Sequence, residues 1–347
     1  MIYFKSPLIL DSIEVNMRFS LSVLIVFLLL NSCEQEPGIE RGFYHWNSRF
    51  SLTDSQLNFL EEINAEVLYV HYFDVIMGEQ EPLPIAEVKM DTETNLSIVP
   101  VVYITTAVFS ALDSTEIPDF AQKVYQKITD IHGSRALSEI QMDCDWTPSV
   151  QDKYFYFLEQ FKSIMPDKTK LSATVRLYQY KYPDIAGVPP VDRGLLMYYN
   201  MGSLTDYHEP NSILNNKLGE QYLVEKEYPL PLDIALPNFS WALLFRQGEF
   251  QQICPQFSEN ELKNSPLFVS DQADHYIFTK DTVMYETYFR FGDELRYESC
   301  SEQELLKAAE MIEEKIAHQN ARILIYHLQE KTINDYEKLD AVYRVFE

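Results

Sequence analysis

Two patterns alternate along the chain. Runs dense in β-branched and aromatic residues predict strands over 42–47, 67–75, 96–105, 139–146, 171–180, 194–200, 232–236 and 322–328. Between most of them the apolar positions recur at helical spacing. Leu57, Leu60 and Ile63 share one face of a helix over 51–64, with Thr53 or Asp54 at its cap. Phe120, Val124, Ile128 and Ile131 do the same over 117–132, and Gly133 stops that helix. Tyr154, Phe157 and Phe161 turn inward over 150–165, and Leu305, Leu306, Ala309, Ile312 and Ile316 over 301–320; a last helix covers 333–345. Several strands are near-continuous apolar runs, as expected where both faces are buried. Eight strands interleaved with helices predict an α/β fold, a (β/α)8 TIM barrel. A doubly wound open sheet is the alternative, but no Gly-rich phosphate loop follows the first strand. The stretch 246–300 is too long for one connection, so a small α+β insertion is expected after strand seven.

The N-terminus follows a different rule. Met17 and Arg18 precede an apolar run over 21–30 that is too short to span a bilayer comfortably. Leu30-Asn31-Ser32-Cys33 resembles a bacterial lipobox, in which Cys33 carries the lipid. Residues 1–33 therefore read as a lipoprotein signal peptide, 34–41 as a tether and 42–347 as the barrel. Glu34 and Glu36 resemble the acidic export signal of Bacteroidetes surface lipoproteins. The expectation is an exported protein, lipid-anchored to the outer membrane on its periplasmic or its cell-surface face.

Charge narrows the partners. With 28 Lys+Arg against 53 Asp+Glu the chain carries −25, and it has no basic run, which argues against nucleic acid. Aromatics at 14% of residues rule out a disordered chain. Cys144, Cys254 and Cys300 follow the leader; Cys254 and Cys300 either pair in an oxidising compartment or all three are buried thiols. No cysteine or histidine spacing suggests a metal site, and His45, His71 and His327 read as core histidines. No cofactor is expected.

In a barrel, chemistry sits at the C-terminal ends of the strands. There the sequence places Trp46, Asp74, Asp143, Asp145, Trp146, Arg176, Gln179, Met197, Tyr199, Asn200, Trp241 and Tyr326. Aromatic rings stack on the apolar faces of sugars, while carboxylates and amides bind hydroxyls. Strand alternation puts Asp143 and Asp145 on one side, where two close carboxylates raise each other's pKa unless Arg176 on the next strand neutralises one.

Asp143-Cys144-Asp145-Trp146-Thr147 resembles the fourth-strand signature of glycoside hydrolase family 18, Asp-Gly-x-Asp-x-Asp-Trp-Glu, and Met197-Tyr198-Tyr199-Asn200 its sixth-strand Met-x-Tyr-Asp. Residues 233–237 resemble its seventh strand. The resemblance implies a barrel acting on glycans with N-acetyl groups. It implies that Asp143 and Asp145 are the core acids, that Asp145 orients the reacting acetamido group, and that Tyr199 binds its oxygen, with Asn200 in place of Asp. Ile140 stands at the first acid position and Thr147 where the family has its proton-donating Glu.

Two functions follow. In the first, a glycoside hydrolase uses Asp143, Asp145, Tyr199 and Asn200, with Trp46, Asp74, Trp146, Arg176, Gln179, Met197, Trp241 and Tyr326 binding the sugar. Asp145, Asp74, Asp293 or Glu294 then supplies the missing acid. In the second, a non-catalytic surface protein captures glycan for a neighbouring transporter. The sequence leaves the oligomeric state open.

Overall fold

The computed structural model describes residues 38–224, 227–316 and 321–347. The predicted leader, with Cys33 and the first half of the tether, lies outside the described residues. Among the described residues, no helix is long and apolar enough to cross a membrane.

Eight parallel strands close into a barrel. The first seven are β1 (Glu40–His45), β2 (Val67–Met77), β3 (Ser97–Ile104), β4 (Glu139–Asp143), β5 (Lys170–Arg176), β6 (Arg193–Met197) and β7 (Leu232–Pro237). The eighth barrel strand, Arg322–Tyr326, pairs with both β7 and β1, and β1 pairs with β2, so the cylinder has no open edge. A short antiparallel strand, Pro82–Ile85, extends β2 above the rim.

The helices start and stop where local chemistry dictates. Thr53 and Gln56 form a capping box at the start of Asp54–Glu62, and Ser301 and Glu304 form another at the start of Glu302–Lys315. Ile117–His132 ends at Gly133, whose φ of 65° favours a residue without Cβ. Its buried face, Phe120, Val124 and Ile128, joins the barrel's main core.

β4 sets the interior of the cylinder. Its alternation sends Ile140 and Met142 into the apolar core and leaves Glu139, Gln141 and Asp143 for the barrel axis. Each of the three polar groups is buried and met from other strands of the barrel, adjacent or across the axis. Glu139 accepts from Tyr69, Ser172 and Arg322 at the bottom; Gln141 takes the Tyr44 hydroxyl in the middle; Asp143 accepts from Thr174 at the top. These stacked levels are the polar version of the side-chain layers that fill a (β/α)8 barrel.

Between β7 and the last barrel strand the chain builds a separate sheet: β8 (Trp241–Arg246), β9 (Glu249–Cys254), β10 (Phe268–Gln272), β11 (His275–Phe278) and β12 (Glu294–Glu298), with the eighth barrel strand becoming β13. Its antiparallel order is β9-β8-β12-β11-β10, one short helix (Glu259–Asn264) flanks it, and its own core includes Phe257, Phe278 and Phe289. The chain enters this sheet at Trp241, ahead of the boundary placed at 246.

Several expected boundaries change, and the open alternative for the cysteines is decided. The strand expected over 171–180 stops at Arg176, because the Gln179 side chain takes the Arg176 amide (2.7 Å) and starts the helix Leu177–Lys181. The strand expected over 139–146 stops at Asp143. The Cys254–Cys300 pairing does not form: Cys144, Cys254 and Cys300 are free and buried, with Cys254 in the core of the inserted sheet and Cys300 in that of the barrel.

Candidate functional site

The last residue of β5 and the segments that follow β4, β5 and β6 line a cleft of about 410 Å³. It is lined by Asp145, Trp146, Arg176, Gln179, Tyr199 and Asn200, all expected from the sequence, together with Leu177, Tyr178, Met201 and Tyr222.

Asp143 and Asp145 part company at the end of β4. Asp143 is the last strand residue and points inward, buried, accepting from Thr174 Oγ1 at 2.7 Å. Burial pushes its pKa up to about 6, against the Arg176 guanidinium, which pulls it down. Asp145 lies beyond the strand at the half-exposed mouth. There Arg176 binds it at two points, Nε to Oδ1 and Nη2 to Oδ2 (3.1 Å). Thr147 is exposed, and its hydroxyl bonds that of Ser149.

Below the cleft runs a girdle of aromatic rings. Tyr326 sits at its centre, stacked on Tyr199 (centroids 5.2 Å, planes 23° apart) and edge-on or tilted to Tyr44, Trp46 and Phe239. Trp241 continues it through Phe239 at 5.1 Å. Tyr199 is buried, and its hydroxyl has no hydrogen-bond partner. Burial raises its pKa well above the usual phenol value, so the group stays an O–H donor. Asn200 follows at φ 53°, a left-handed conformation that Asn tolerates, and it turns the chain out of the barrel.

Other predicted residues hold the walls. Gln179 is buried; its Oε1 takes the Arg176 amide and its Nε2 donates to the Trp146 carbonyl. The Trp146 indole donates to the Ala186 carbonyl at 2.7 Å. Met197 is buried at the end of β6. Asp74 lies apart from the cleft on β2, 2.7 Å from His71 Nε2. Trp46, Trp241 and Tyr326 belong to the girdle rather than to the cleft lining.

The acids suggested in the insertion are occupied. Asp293 is buried and held at two points by Arg246 (2.8 and 2.7 Å), and Glu294 takes the Tyr207 hydroxyl. The Asp293 carboxyl is held below its usual range: burial opposes this, but the bonds from Arg246 and the Arg290 amide prevail. His45 packs edge-on against Phe50, and His327 lies 2.9 Å from Gln329. Among the described residues no group of three or more His, Cys, Asp and Glu is placed to hold a metal.

Sequence reasoning missed Leu177, Met201 and Tyr222 as cleft residues. The first falls in a span whose composition predicts strand, and Tyr222 stands in a polar stretch well past β6 whose return to the mouth no local pattern announces.

No protein-family model matches the chain, and no curated protein matches it by sequence. Solved structures do match. The spore cortex-lytic enzyme SleL of Bacillus cereus is 15% identical with a TM-score of 0.51, over 88% of this chain and 74% of that one. The SleL enzyme of Bacillus megaterium is 10% identical at 0.50, over 89% and 75%. A chitinase from Bacteroides thetaiotaomicron is 9% identical at 0.51, over 89% and 96%. The chain thus shares the barrel fold of these proteins, in agreement with the family 18 resemblance of its fourth and sixth strands.

Proposed function

We propose that this protein binds glycans bearing N-acetyl groups in the cleft at the mouth of its barrel and holds them without cutting them. The observation that carries the reading is the state of the β4 acids. Asp143 is sealed beneath the cleft, Asp145 is neutralised by Arg176, and the residue two further on is Thr147. Among the described lining residues Asp145 is the one carboxylate and Arg176 the one cation, so the lining carries no net charge. What it offers a ligand is hydrogen-bonding groups and aromatic faces, the composition of a binding pocket. A general acid needs a proton and a path to the leaving oxygen; Thr147 has no titratable proton, and Asp143 is buried and does not line the cleft. The orphaned Tyr199 hydroxyl suits an acetamido oxygen, since a buried donor gains most from a ligand that satisfies it. The family 18 resemblance and the chitinase-like neighbours favour this sugar class.

The anchor belongs to the same reading. Lipidation at Cys33 places the barrel on the outer membrane, where a captured glycan can pass to a neighbouring transporter. Metabolic labelling with a fatty-acid analogue checks it: label on the wild-type protein and none on Cys33→Ala is the expected result.

The functional test is a panel of chitin oligomers, N-glycans and peptidoglycan fragments. Binding is read by calorimetry and products by mass spectrometry, with Asp145→Asn alongside. Binding with intact glycans is expected. New reducing ends from the wild type, absent from Asp145→Asn, overturn the non-hydrolytic reading.

A further inference from the structure

We propose that the rings of Tyr178 and Tyr182 form an outer subsite that receives further sugar units of a glycan whose end lies in the cleft; this rests on the cleft reading above. The helix Leu177–Lys181 and the short helix Pro183–Ala186 that follows through Tyr182 leave three large apolar side chains in water: Tyr178 is 44% exposed, Tyr182 37% and Ile185 57%. Scattered exposed hydrophobics are ordinary, but these three fall within one short segment at the edge of a cleft.

The two tyrosine rings lie side by side, centroids 5.1 Å apart and tilted by 49°. Tyr178 also lines the cleft, whereas Tyr182 lies beyond its lining, so the apolar surface runs continuously outward from the mouth. The cleft itself, at about 410 Å³, sits near the lower end of the range for ligand pockets, roughly 300–1,000 Å³. It suits a short stretch of glycan, and a longer one must emerge over its rim.

The platform is held by contacts of its own. The Lys181 ammonium stands 5.1 Å from the centre of the Tyr182 ring and 5.4 Å from that of Tyr222, and it donates to the Gln221 carbonyl. The segment is pinned from below by the Trp146 indole on the Ala186 carbonyl. Pre-ordered aromatic rings give contact area at little entropic cost. A pyranose presents an apolar face of C–H groups to such a ring and leaves its hydroxyls free for water and for the phenol oxygens.

The test measures affinities of the full protein for chitin oligomers of two to six sugars. For the wild type, affinity rises with chain length. Tyr182→Ala leaves the disaccharide unchanged and weakens the longest oligomer roughly two- to tenfold, the scale of one lost aromatic contact; Tyr182→Trp restores it. A wild-type affinity that is flat with length, or a Tyr182→Ala variant that binds the longest oligomer as wild type does, overturns the subsite while leaving the cleft reading intact. Absence of binding at every length overturns both.

Discussion

Arg176 grips Asp145 with two parallel bonds at the barrel mouth while standing within electrostatic reach of buried Asp143. One guanidinium therefore controls two carboxylates of opposite character, one half-exposed and paired, the other buried and inclined to hold its proton. Replacing Arg176 by Met removes the cation that lowers the Asp143 pKa and leaves the Asp145 charge uncompensated. Both changes disfavour ionisation of Asp143. Its titration midpoint is expected to climb above about 6 in carboxyl carbon NMR of Arg176→Met. A midpoint that stays or falls refutes this coupling.

A second buried acid governs the other end of the barrel. Asp233 on β7 accepts the Arg322 amide at 2.8 Å and lies 3.3 Å from Arg193. Burial outweighs both and pushes its pKa up to about 7, from the 3.8 of a free carboxyl. A raised carboxyl pKa means that the unfolded chain ionises first. The contribution of Asp233 to stability is thus complete below about pH 4, falls as pH rises through about 7, and is flat above, with a slope of at most about 1.4 kcal/mol per pH unit. Asp143 adds to the same trend below about pH 6. His45 and His327, whose pKa values burial pulls down to about 4, work the other way over the same range, so the readout is a difference: in urea unfolding between about pH 5 and about pH 7.5 the stability of the wild type relative to Asp233→Asn is expected to fall. Parallel slopes would show that Asp233 is ionised in the fold.

The barrel was legible because its strands and helices obey periods of two and 3.6, and period and burial agree over most of its length. Ile117–His132 matches its predicted span because Pro118 and Gly133 bracket one unbroken apolar face. The site was less legible. A period of two extends past Asp143 and predicts Asp143 and Asp145 on one strand face; the strand ends between them, and one is buried while the other reaches Arg176. The helix after β5 was hidden by its aromatic, strand-like composition, Leu177-Tyr178-Gln179-Tyr180, and was decided by the Gln179 side chain. Tyr222 reaches the cleft through tertiary packing that no local pattern encodes.

A buried carboxylate of the inserted sheet, Glu298, ties it to the loop after β6. Glu298 Oε1 accepts from Arg296 Nε at 2.9 Å, and its Oε2 accepts from the Trp241 indole at 2.8 Å and from the Ser212 hydroxyl. Arg296 also donates to the carbonyls of Asp206 and Tyr207 in the loop after β6 and lies over the Phe245 ring. Both charged side chains are buried. Glu298→Ala strands the Arg296 cation and two further donors, and is expected to cost about 3–5 kcal/mol in chemical denaturation. Ser212→Ala is expected to cost about 1 kcal/mol, since it removes one donor and leaves the pair intact. A Glu298→Ala loss no larger than that of Ser212→Ala would show that the ion pair does not secure the insertion.

Tyr199 separates binding from stability. Its hydroxyl is buried without a partner, while its ring carries the packing on Tyr326 and Phe239. Tyr199→Phe keeps both ring contacts and deletes the unsatisfied group, so the folded protein is expected to be as stable as wild type or more so. If that hydroxyl meets an acetamido oxygen, the same change weakens an N-acetyl sugar by one hydrogen bond, roughly two- to tenfold. It leaves the affinity for a sugar without the acetamido group where it was. Thermal melts and calorimetry on matched sugars with and without that group check both halves. Equal losses for the two sugars would mean that the hydroxyl contacts another part of the ligand, and a destabilised variant would mean that it is already bonded in the free protein.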